Sequence, residues 1–454
     1  MALHVTETEI FRDSFVASEI REIFDEEATV ESWLLFEGIL AEVQGELGII
    51  PEKFAKEISA KANLKNVSIS RIAEINRKTK LASVAMIRAL AEVCENGAGE
   101  YVHYGSCSPE LFETTLAYRI GKTIDLFQKD LSAIRSELNR LAEKHRYTLV
   151  VERSHGQQGN PTTFGHVVAI WSNEVSKHID RFKEARKRIL VGNLGGGYAN
   201  RASYYVIAGE KCLEMEKRVL ERLGLYQDRI SMRRHMERLA EFTNLLSLLA
   251  MTFEKISEDI FFQQRNEIAE LEEPFDSANQ IGSSTLPQKR NPVLCEAVMA
   301  WSKKIRSNAA AMADTHMRDS HYITGFYMED LIIPESCLLT GSMLRLMHTI
   351  IQGLDVRKDK MMKNLELSNG LAMTEALMFA LSKKTGKKQT AHHILHDLAM
   401  EAFEKGIPFD QHIAGNPKIY SYLTNEEVQS LLNPENYLGM ADSDIDNIIE
   451  GKRV

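Results

Sequence analysis

The chain has 454 residues, of which 44% are hydrophobic and 26% charged, and its formal net charge is −9. An acidic protein of this kind lacks the basic face that sequence-independent nucleic-acid binding needs, and no apolar run reaches the length of a membrane span. The five cysteines are scattered and form no Cys-x-x-Cys pair, and the start of the chain lacks the pattern of a signal peptide. We therefore expect a reduced, cytoplasmic protein with no nucleic-acid or membrane partner.

The residue pattern is helical along almost the whole chain. Glycine and proline are sparse, at 26 and 10 residues. Helical spacing begins in residues 14–47, and short helices follow until the stop signal at 96–99. The polar stretch 101–110 then opens a long helix. Outside 147–151, no alternating strand pattern exceeds four or five residues, so the sequence predicts an all-α fold.

Two runs of apolar residues alternate between spacings of four and three. The first run is Ile120, Ile124, Phe127, Leu131, Ile134, Leu138 and Leu141, and the second is Leu239, Phe242, Leu246, Leu249, Phe253, Ile256 and Ile260. Seven positions at this spacing place one apolar seam along a helix of roughly 35 Å or more. Because the flanking positions are not systematically charged, the seams favour a helical bundle over a two-stranded coiled coil.

The remaining helical pattern divides the chain into three predicted domains. Pro161 is expected to start a helix, and helical spacing resumes at 293–313 and 334–353, before a polar junction at 355–360. The predicted domains are an N-terminal helical domain at 1–104, a central long-helix bundle at 105–353, and a small C-terminal helical domain at 354–454.

Four polar stretches interrupt the helical pattern and are candidates for chemistry. They are residues 103–108, 153–165, 282–292 and 316–321. Residues 282–292 begin with a mobile Gly-Ser-Ser, and two prolines stiffen the second half of the stretch. The side chains of Lys289 and Asn291 are suited to hold a carboxylate. Taken alone, this stretch also fits a simple polar connection between helices. His155 lies in a polar context just before the helix expected at Pro161, where free N–H groups would favour anions.

Other kinds of site fit the pattern less well. His103, His155, His316 and His321 lack the short spacing of a helical ligand pair, and no HExxH motif is present, so no metal is expected. Ser283 and His155 could form a nucleophilic pair, but neither serine of the loop follows a strand and no GxSxG elbow exists. Residues 195–197, three glycines, do not fit the dinucleotide fingerprint, so no cofactor is expected either.

Three of these segments resemble a known enzyme family. Residues 282–292, GSSTLPQKRNP, resemble the GSSxMPxKxNP signature of the fumarase/aspartase superfamily, with Leu286 in place of methionine. Residues 153–165 resemble the RTHGQxAxPTTFG segment of its adenylosuccinate lyase and 3-carboxymuconate cycloisomerase branch. Residues 102–108 resemble the VHxGxTS segment of that branch, with Cys107 replacing threonine. The resemblance covers nearly the whole chain.

The resemblance implies a lyase in a three-domain fumarase/aspartase-type fold. Its central helices would form a twenty-helix core in a homotetramer, and each active site would be assembled from three subunits. The family reaction is a reversible β-elimination that breaks a C–N or C–O bond. The resemblance implies a succinyl-type polycarboxylate as the substrate here and fumarate as the product. It needs no cofactor and no metal.

Individual roles carry over by matching position. Ser283 would remove the proton next to a carboxylate to give an aci-carboxylate, and His155 would protonate the leaving group. The loop would close as a lid. Lys289, Asn291 and Ser108 would donate hydrogen bonds to the developing oxyanions. The other substrate-binding candidates are Ser106, His103, Gln157, Thr162, Ser284 and Arg318.

Departures from the family pattern leave the substrate open. Adenylosuccinate lyases carry a T-x-H-D segment where this chain has Thr79-Lys80-Leu81-Ala82. Where they end a Ser-Ser-x-Glu-Arg run on a phosphate-binding arginine, this chain has Asp330, which would repel a phosphate. A nucleotide substrate is therefore disfavoured. Adenylosuccinate lyase proper, a cycloisomerase-like ring closure and an inactive structural homologue remain alternatives, as do the identity of the leaving group and the direction of the reaction.

Overall fold

The computed structural model describes residues 8–11, 17–231, 236–315 and 324–452, with side chains throughout these ranges except at 324–326. The described residues are mainly helical, which confirms the all-α prediction. The first helices are α1 (Ser18–Phe24), α2 (Glu26–Glu46), α3 (Glu52–Lys61), α4 (Ile69–Thr79), α5 (Ala82–Val93), α6 (Ser108–Lys144) and α7 (Phe164–Ile189). Next come α8 (Ala202–Ala208), α9 (Lys211–Arg222), α10 (Met236–Gln263), α11 (Val293–Ala313) and α12 (Thr324–Gly353).

The helices of the last hundred residues are shorter. They are α13 (Lys358–Glu366), α14 (Thr374–Thr385), α15 (Lys388–Lys405), α16 (Phe409–Ile413), α17 (Pro417–Tyr420), α18 (Asn425–Leu432) and α19 (Ala441–Glu450). The strands form two antiparallel pairs. They are β1 (Leu149–Ser154) with β2 (Gln157–Thr163), and β3 (Leu271–Glu272) with β4 (Asp355–Val356).

Contacts between residues divide the chain into two compact units. The first unit comprises Met1–Asp130, His178–Met251 and Ala300–Arg345, and the second comprises Leu131–Lys177, Thr252–Met299 and Leu346–Val454. The unit boundaries fall within long helices rather than between segments of the chain. The three domains drawn from the sequence remain a prediction.

Both apolar seams are buried as the heptad spacing predicts. The seven seam residues of α6 are at most 3% exposed, and the seven of α10 at most 1%. Helical propensity alone would not hold helices of 37 and 28 residues. Burial of one continuous apolar face supplies the stabilisation, at about 25 cal/mol for each Å² removed from water.

Two expected element boundaries were wrong. Pro161 does not start a helix, because it lies in β2 opposite Val151, and α7 begins only at Phe164. The hairpin is set by a two-residue turn in which His155 and Gly156 both have positive φ, 53° and 74°. Turns of this kind match the twist of antiparallel strands. The last long helix, α12, begins earlier than predicted and contains Pro334 in its interior.

The hairpin packs onto α13 within the second unit. Leu149 and Val151 of β1 form a buried apolar cluster with Leu365 and Ala372. The side-chain amide of Gln158 also donates to the carbonyl of Asn364 at 2.7 Å. Apolar burial thus fixes the base of the hairpin, and the Gln158 hydrogen bond holds β2 close to the turn. The turn residues His155 and Gly156 stay exposed.

Within the described ranges, no helix combines the length and apolar character needed to cross a membrane.

This packing predicts different effects for two leucines two residues apart. Leu365 is 6% exposed and Leu367 is 64% exposed. We expect Leu365→Ala to lower the stability by about 2–4 kcal/mol, because the change leaves a cavity under the hairpin. Leu367→Ala, the matched control, should stay within about 0.5 kcal/mol of the original protein. Chemical unfolding followed by circular dichroism tests this, and equal effects of the two changes would contradict the packing.

Candidate active site

The first group of predicted site residues lies in a tight turn of the first unit, before α6. His103 and Gly105 have positive φ, 61° and 82°. His103 Nδ1 donates to Glu37 Oε1 at 2.6 Å. Burial alone would lower the pKa of His103, but the charge and hydrogen bond of Glu37 raise it on balance. The Glu37 contact orients His103 and favours its charged form.

The carboxylate of Glu110 holds the same turn together through hydrogen bonds. Its carboxylate is fully buried and accepts hydrogen bonds from the Ser106 hydroxyl at 2.7 Å, the Cys107 N–H at 3.0 Å and the Tyr204 hydroxyl at 2.8 Å. The Gly196 N–H donates to its other oxygen. Burial raises the pKa of Glu110, and these donors oppose that rise. Ser106, expected at the substrate, is thus engaged with Glu110, and the glycine turn 195–197 holds the carboxylate.

Ser108 is the first residue of α6 and is half-buried. Its hydroxyl oxygen accepts a hydrogen bond from the Ser83 hydroxyl at 2.7 Å. The hydroxyl proton of Ser108 remains available to donate to a ligand. Ser83 follows Ala82 directly, so the segment 79–82, which departs from the adenylosuccinate lyase pattern, is linked to a predicted substrate-binding residue.

The second unit carries His155 at the tip of the β1–β2 hairpin. The imidazole is exposed and has no hydrogen-bond partner among the described residues. The expectation that His155 precedes a helix start was wrong, so donors of a helix terminus do not supply its surroundings. Gln157 is also exposed, on the strand that leaves the turn. Thr162 is buried further along β2, with its hydroxyl 3.4 Å from His166 Nδ1.

The loop 282–292 arranges donors around Ser283. The half-buried Ser283 Oγ accepts the backbone N–H groups of Thr285 at 3.3 Å and Leu286 at 3.2 Å. Two such donors favour a negatively charged oxygen over a neutral hydroxyl. This is the local stabilisation that a serine base requires, and the loop supplies it from its own backbone.

The other loop residues differ in what they offer a ligand. Lys289 is exposed, and its ammonium group has no partner within the described ranges. Asn291 donates one side-chain N–H to the Gly282 carbonyl at 2.7 Å, which closes the loop on itself. The second N–H and the carbonyl oxygen of the Asn291 side chain are available to bind a ligand. Ser284 is exposed beside Ser283.

A cleft of about 860 Å³ runs along this loop. Its lining includes Lys289, Asn291 and three arginines: Arg265, Arg290 and Arg357. Glu272 pairs with two of those arginines, and Glu267 and Glu296 balance the charges of Lys289 and Arg265, so the lining keeps one net positive charge. A cationic cleft of this kind suits a small ligand with several carboxylates.

Some predicted features are not placed, and others were missed. Arg318, His316 and His321 lie outside the described residues, so their roles stay predictions. Within the described ranges, no group of three His, Cys, Asp or Glu side chains is arranged to hold a metal. Glu110, Tyr204 and Glu272 were not predicted as site residues. A signal for Glu272 exists, because glutamates on both sides of the apolar Leu271 in 270–273 indicate carboxylates that are buried and paired.

Comparison with known proteins identifies the family. A lyase family model matches residues 12–307, and an adenylosuccinate lyase C-terminus model matches 370–448. The chain is 41% identical to adenylosuccinate lyase of Methanocaldococcus jannaschii over 434 residues, covering 95% of this chain and 93% of that protein. The chain belongs to the fumarase/aspartase superfamily. It is a lyase of the adenylosuccinate lyase and carboxymuconate cycloisomerase branch.

Other relatives of this superfamily have different names. The chain is 33% identical to N-acetyl-S-(2-succino)cysteine lyase of Dickeya dadantii, covering 99% of this chain and 98% of that protein. The structure matches fumarate lyase from Mesorhizobium sp. BNC1 with a TM-score of 0.87 and 27% identity, over 96% of this chain and 99% of that one. It matches the 3-carboxy-cis,cis-muconate lactonizing enzyme from Pseudomonas putida equally well, with 26% identity and 98% coverage of both chains.

The turn at 103–108 allows a matched test with two glycines. A Cβ at Gly105 would come within 2.7 Å of Ile207 and 2.9 Å of Tyr204, whereas one at Gly97 would meet nothing within 4 Å. Their φ angles are nearly the same, 82° and 85°. We expect Gly105→Ala to cost about 1–3 kcal/mol more stability than Gly97→Ala, since only Gly105→Ala adds a clash to the backbone strain. Equal melting temperatures for the two variants would contradict the packing of this turn.

Proposed function

We propose that this lyase cleaves a small succinyl compound by β-elimination and releases fumarate. Ser283 Oγ removes a proton from the carbon next to a carboxylate, and the resulting aci-carboxylate spreads the charge over its oxygens. The electron pair then forms the C=C bond as the bond to the leaving group breaks. The observation that carries the proposal is the pair of backbone N–H groups at Ser283 Oγ.

Lys289 and His155 complete the chemistry. The unpaired ammonium of Lys289 balances the second negative charge of the aci-carboxylate, and Asn291 and Ser108 add neutral donors. His155, an exposed imidazole without a partner among the described residues, protonates the departing amine or oxygen. Binding of the substrate and loop closure exclude water from the intermediate.

The active site is assembled from several copies of the chain in a homotetramer. One observation supports this assembly. The long helices expose large apolar side chains, among them Ile170, Leu248 and Met251, and association would remove these from water.

The leaving group we favour is a small amine or thiol rather than a nucleotide. Leu81 and Ala82 replace the His-Asp pair of the adenylosuccinate lyase pattern, and Leu81 is exposed at the start of α5. Asp330 is also exposed. Burial lowers the pKa of the nearby Arg119 to about 10, and the negative charge of Asp330 opposes that fall. A relative that covers nearly the whole chain is named for a succinylated cysteine.

The five unpaired cysteines fit a cytoplasmic site of action.

A second candidate substrate is adenylosuccinate. The relatives named for that substrate include the 41% identical protein of Methanocaldococcus jannaschii. Release of the nucleotide amine would use the same base and acid, because only the group attached to the succinyl carbon differs. The two candidate substrates therefore undergo the same reaction, and they differ only in the leaving group that the enzyme has to recognise.

A substrate panel followed by fumarate absorbance near 240 nm separates the candidates. N-acetyl-S-(2-succino)cysteine, succinylated amino acids and adenylosuccinate are offered at equal concentrations. We expect at least one small succinyl compound to give a kcat/KM at least about tenfold above that of adenylosuccinate. A higher value for adenylosuccinate would reject the preference for a small leaving group. No fumarate from any compound would reject the proposed function.

A further inference from the structure

We propose that Glu272 is a positioning residue that holds the loop 282–292 in its working geometry through Arg290. The effect on turnover rests on the proposed function, whereas the effect on the loop does not. Glu272 would not touch the substrate. It would act by fixing the segment that carries Ser283 and Lys289.

The Glu272 carboxylate lies between two guanidinium groups. It is 7% exposed, and Arg290 Nη1 donates to its Oε1 at 3.0 Å. Arg357 Nη2 forms an ion pair with its Oε2. Each carboxylate oxygen of Glu272 thus contacts one arginine. The two guanidinium groups offset the desolvation cost of this buried carboxylate, so loss of either partner leaves that cost less compensated.

Arg290 carries this restraint into the loop. It lies directly between Lys289 and Asn291, and its guanidinium also donates to Ser277 Oγ at 3.2 Å and lies 5.0 Å from the centre of the Phe275 ring. Its backbone carbonyl accepts the side-chain amide of Gln264 at 3.2 Å. Both the side chain and the main chain of this one residue are therefore tied down.

The loop transmits this restraint from its end to its start. Asn291 donates to the Gly282 carbonyl, and a Cβ at Gly282 would collide with the Lys289 carbonyl. Gly282 therefore lies against the segment that Arg290 anchors. Ser283 follows Gly282 directly, so a displacement of Arg290 reaches the proposed base through two bonded steps and one hydrogen bond.

The neighbours of Glu272 hold the adjoining segments. Glu270 is fully buried and accepts two hydrogen bonds from Arg153, at 2.6 and 2.9 Å, at the foot of the turn that carries His155. Glu273 accepts the N–H groups of Leu294 at 3.0 Å and Cys295 at 2.9 Å, in the first turn of α11. Residues 270–273 thus serve as a common anchor for the hairpin, the loop and the helix after it.

Hydrogen exchange of the loop tests the proposal without a substrate. The variants are Glu272→Gln and Arg290→Gln, with Arg290→Lys as a conservative change that can keep one ion pair. Glu241→Gln, which breaks an Arg–Glu ion pair with Arg188 in the first unit, is the matched control. We expect peptides covering 280–292 to exchange about fivefold faster or more in the two glutamine variants, and to be intermediate in Arg290→Lys. The control should leave that region unchanged.

The hydrogen-exchange rates of the loop 282–292 decide whether Glu272 positions it through Arg290. Loop exchange equal to that of the original protein in Arg290→Gln would overturn it. If Glu272→Gln unfolds the whole protein, Arg290→Gln and Arg290→Lys still decide, because Arg290 is half-exposed and its loss leaves the Glu272–Arg357 pair in place.

Kinetics then separate positioning from a general loss of structure. In the fumarate-releasing reaction, both glutamine variants should lower kcat/KM about tenfold or more, and the double variant should lose clearly less than the sum of the two single losses, because the singles share the Glu272–Arg290 contact. Additive losses would contradict a shared contact. If the original protein releases no fumarate from any substrate, the proposed function fails, and the exchange result alone still decides the positioning role.

Discussion

Burial of three carboxylates within four residues is the constraint on which the second unit depends. Glu270, Glu272 and Glu273 are at most 7% exposed, and a buried carboxylate is costly unless it is paired. Their donors come from distant segments. Glu270 is paired with the hairpin and α13, Glu272 with the loop and with Arg357 just before α13, and Glu273 with the start of α11. One of these donors, Arg290, lies in the loop in which the N–H groups of Thr285 and Leu286 donate to Ser283 Oγ.

One fold carries relatives with different names. The two solved structures described above both match this chain with a TM-score of 0.87, at 26–27% identity. One is named for a lyase and the other for a lactonizing enzyme. A carbon-acid reaction needs a base, converging donors and water exclusion, whatever group leaves. In the function proposed above, recognition of that group is assigned to other segments, such as 79–82 beside Ser83 and Ser108.

The sequence was informative where a signal repeats locally. The seams of α6 and α10 follow from spacing alone, and the loop was recognisable because its residue types match a compact motif. The hairpin was missed because β2 is polar at its start and contains Pro161, so no alternating pattern marks it. Its turn is fixed by two positive φ angles, which a residue list does not reveal. Pairs such as Arg153 with Glu270 join residues 117 positions apart, so no local pattern could predict them.

The most direct test of the account asks whether Ser283 and His155 from different copies serve one substrate. Ser283→Ala and His155→Gln chains, each inactive alone, are co-expressed with different tags, and oligomers that contain both are purified by two successive affinity steps. The account predicts that these mixed oligomers release fumarate from a substrate of the original protein, because some sites combine an intact Ser283 with an intact His155. Mixed oligomers as inactive as both parents would contradict it.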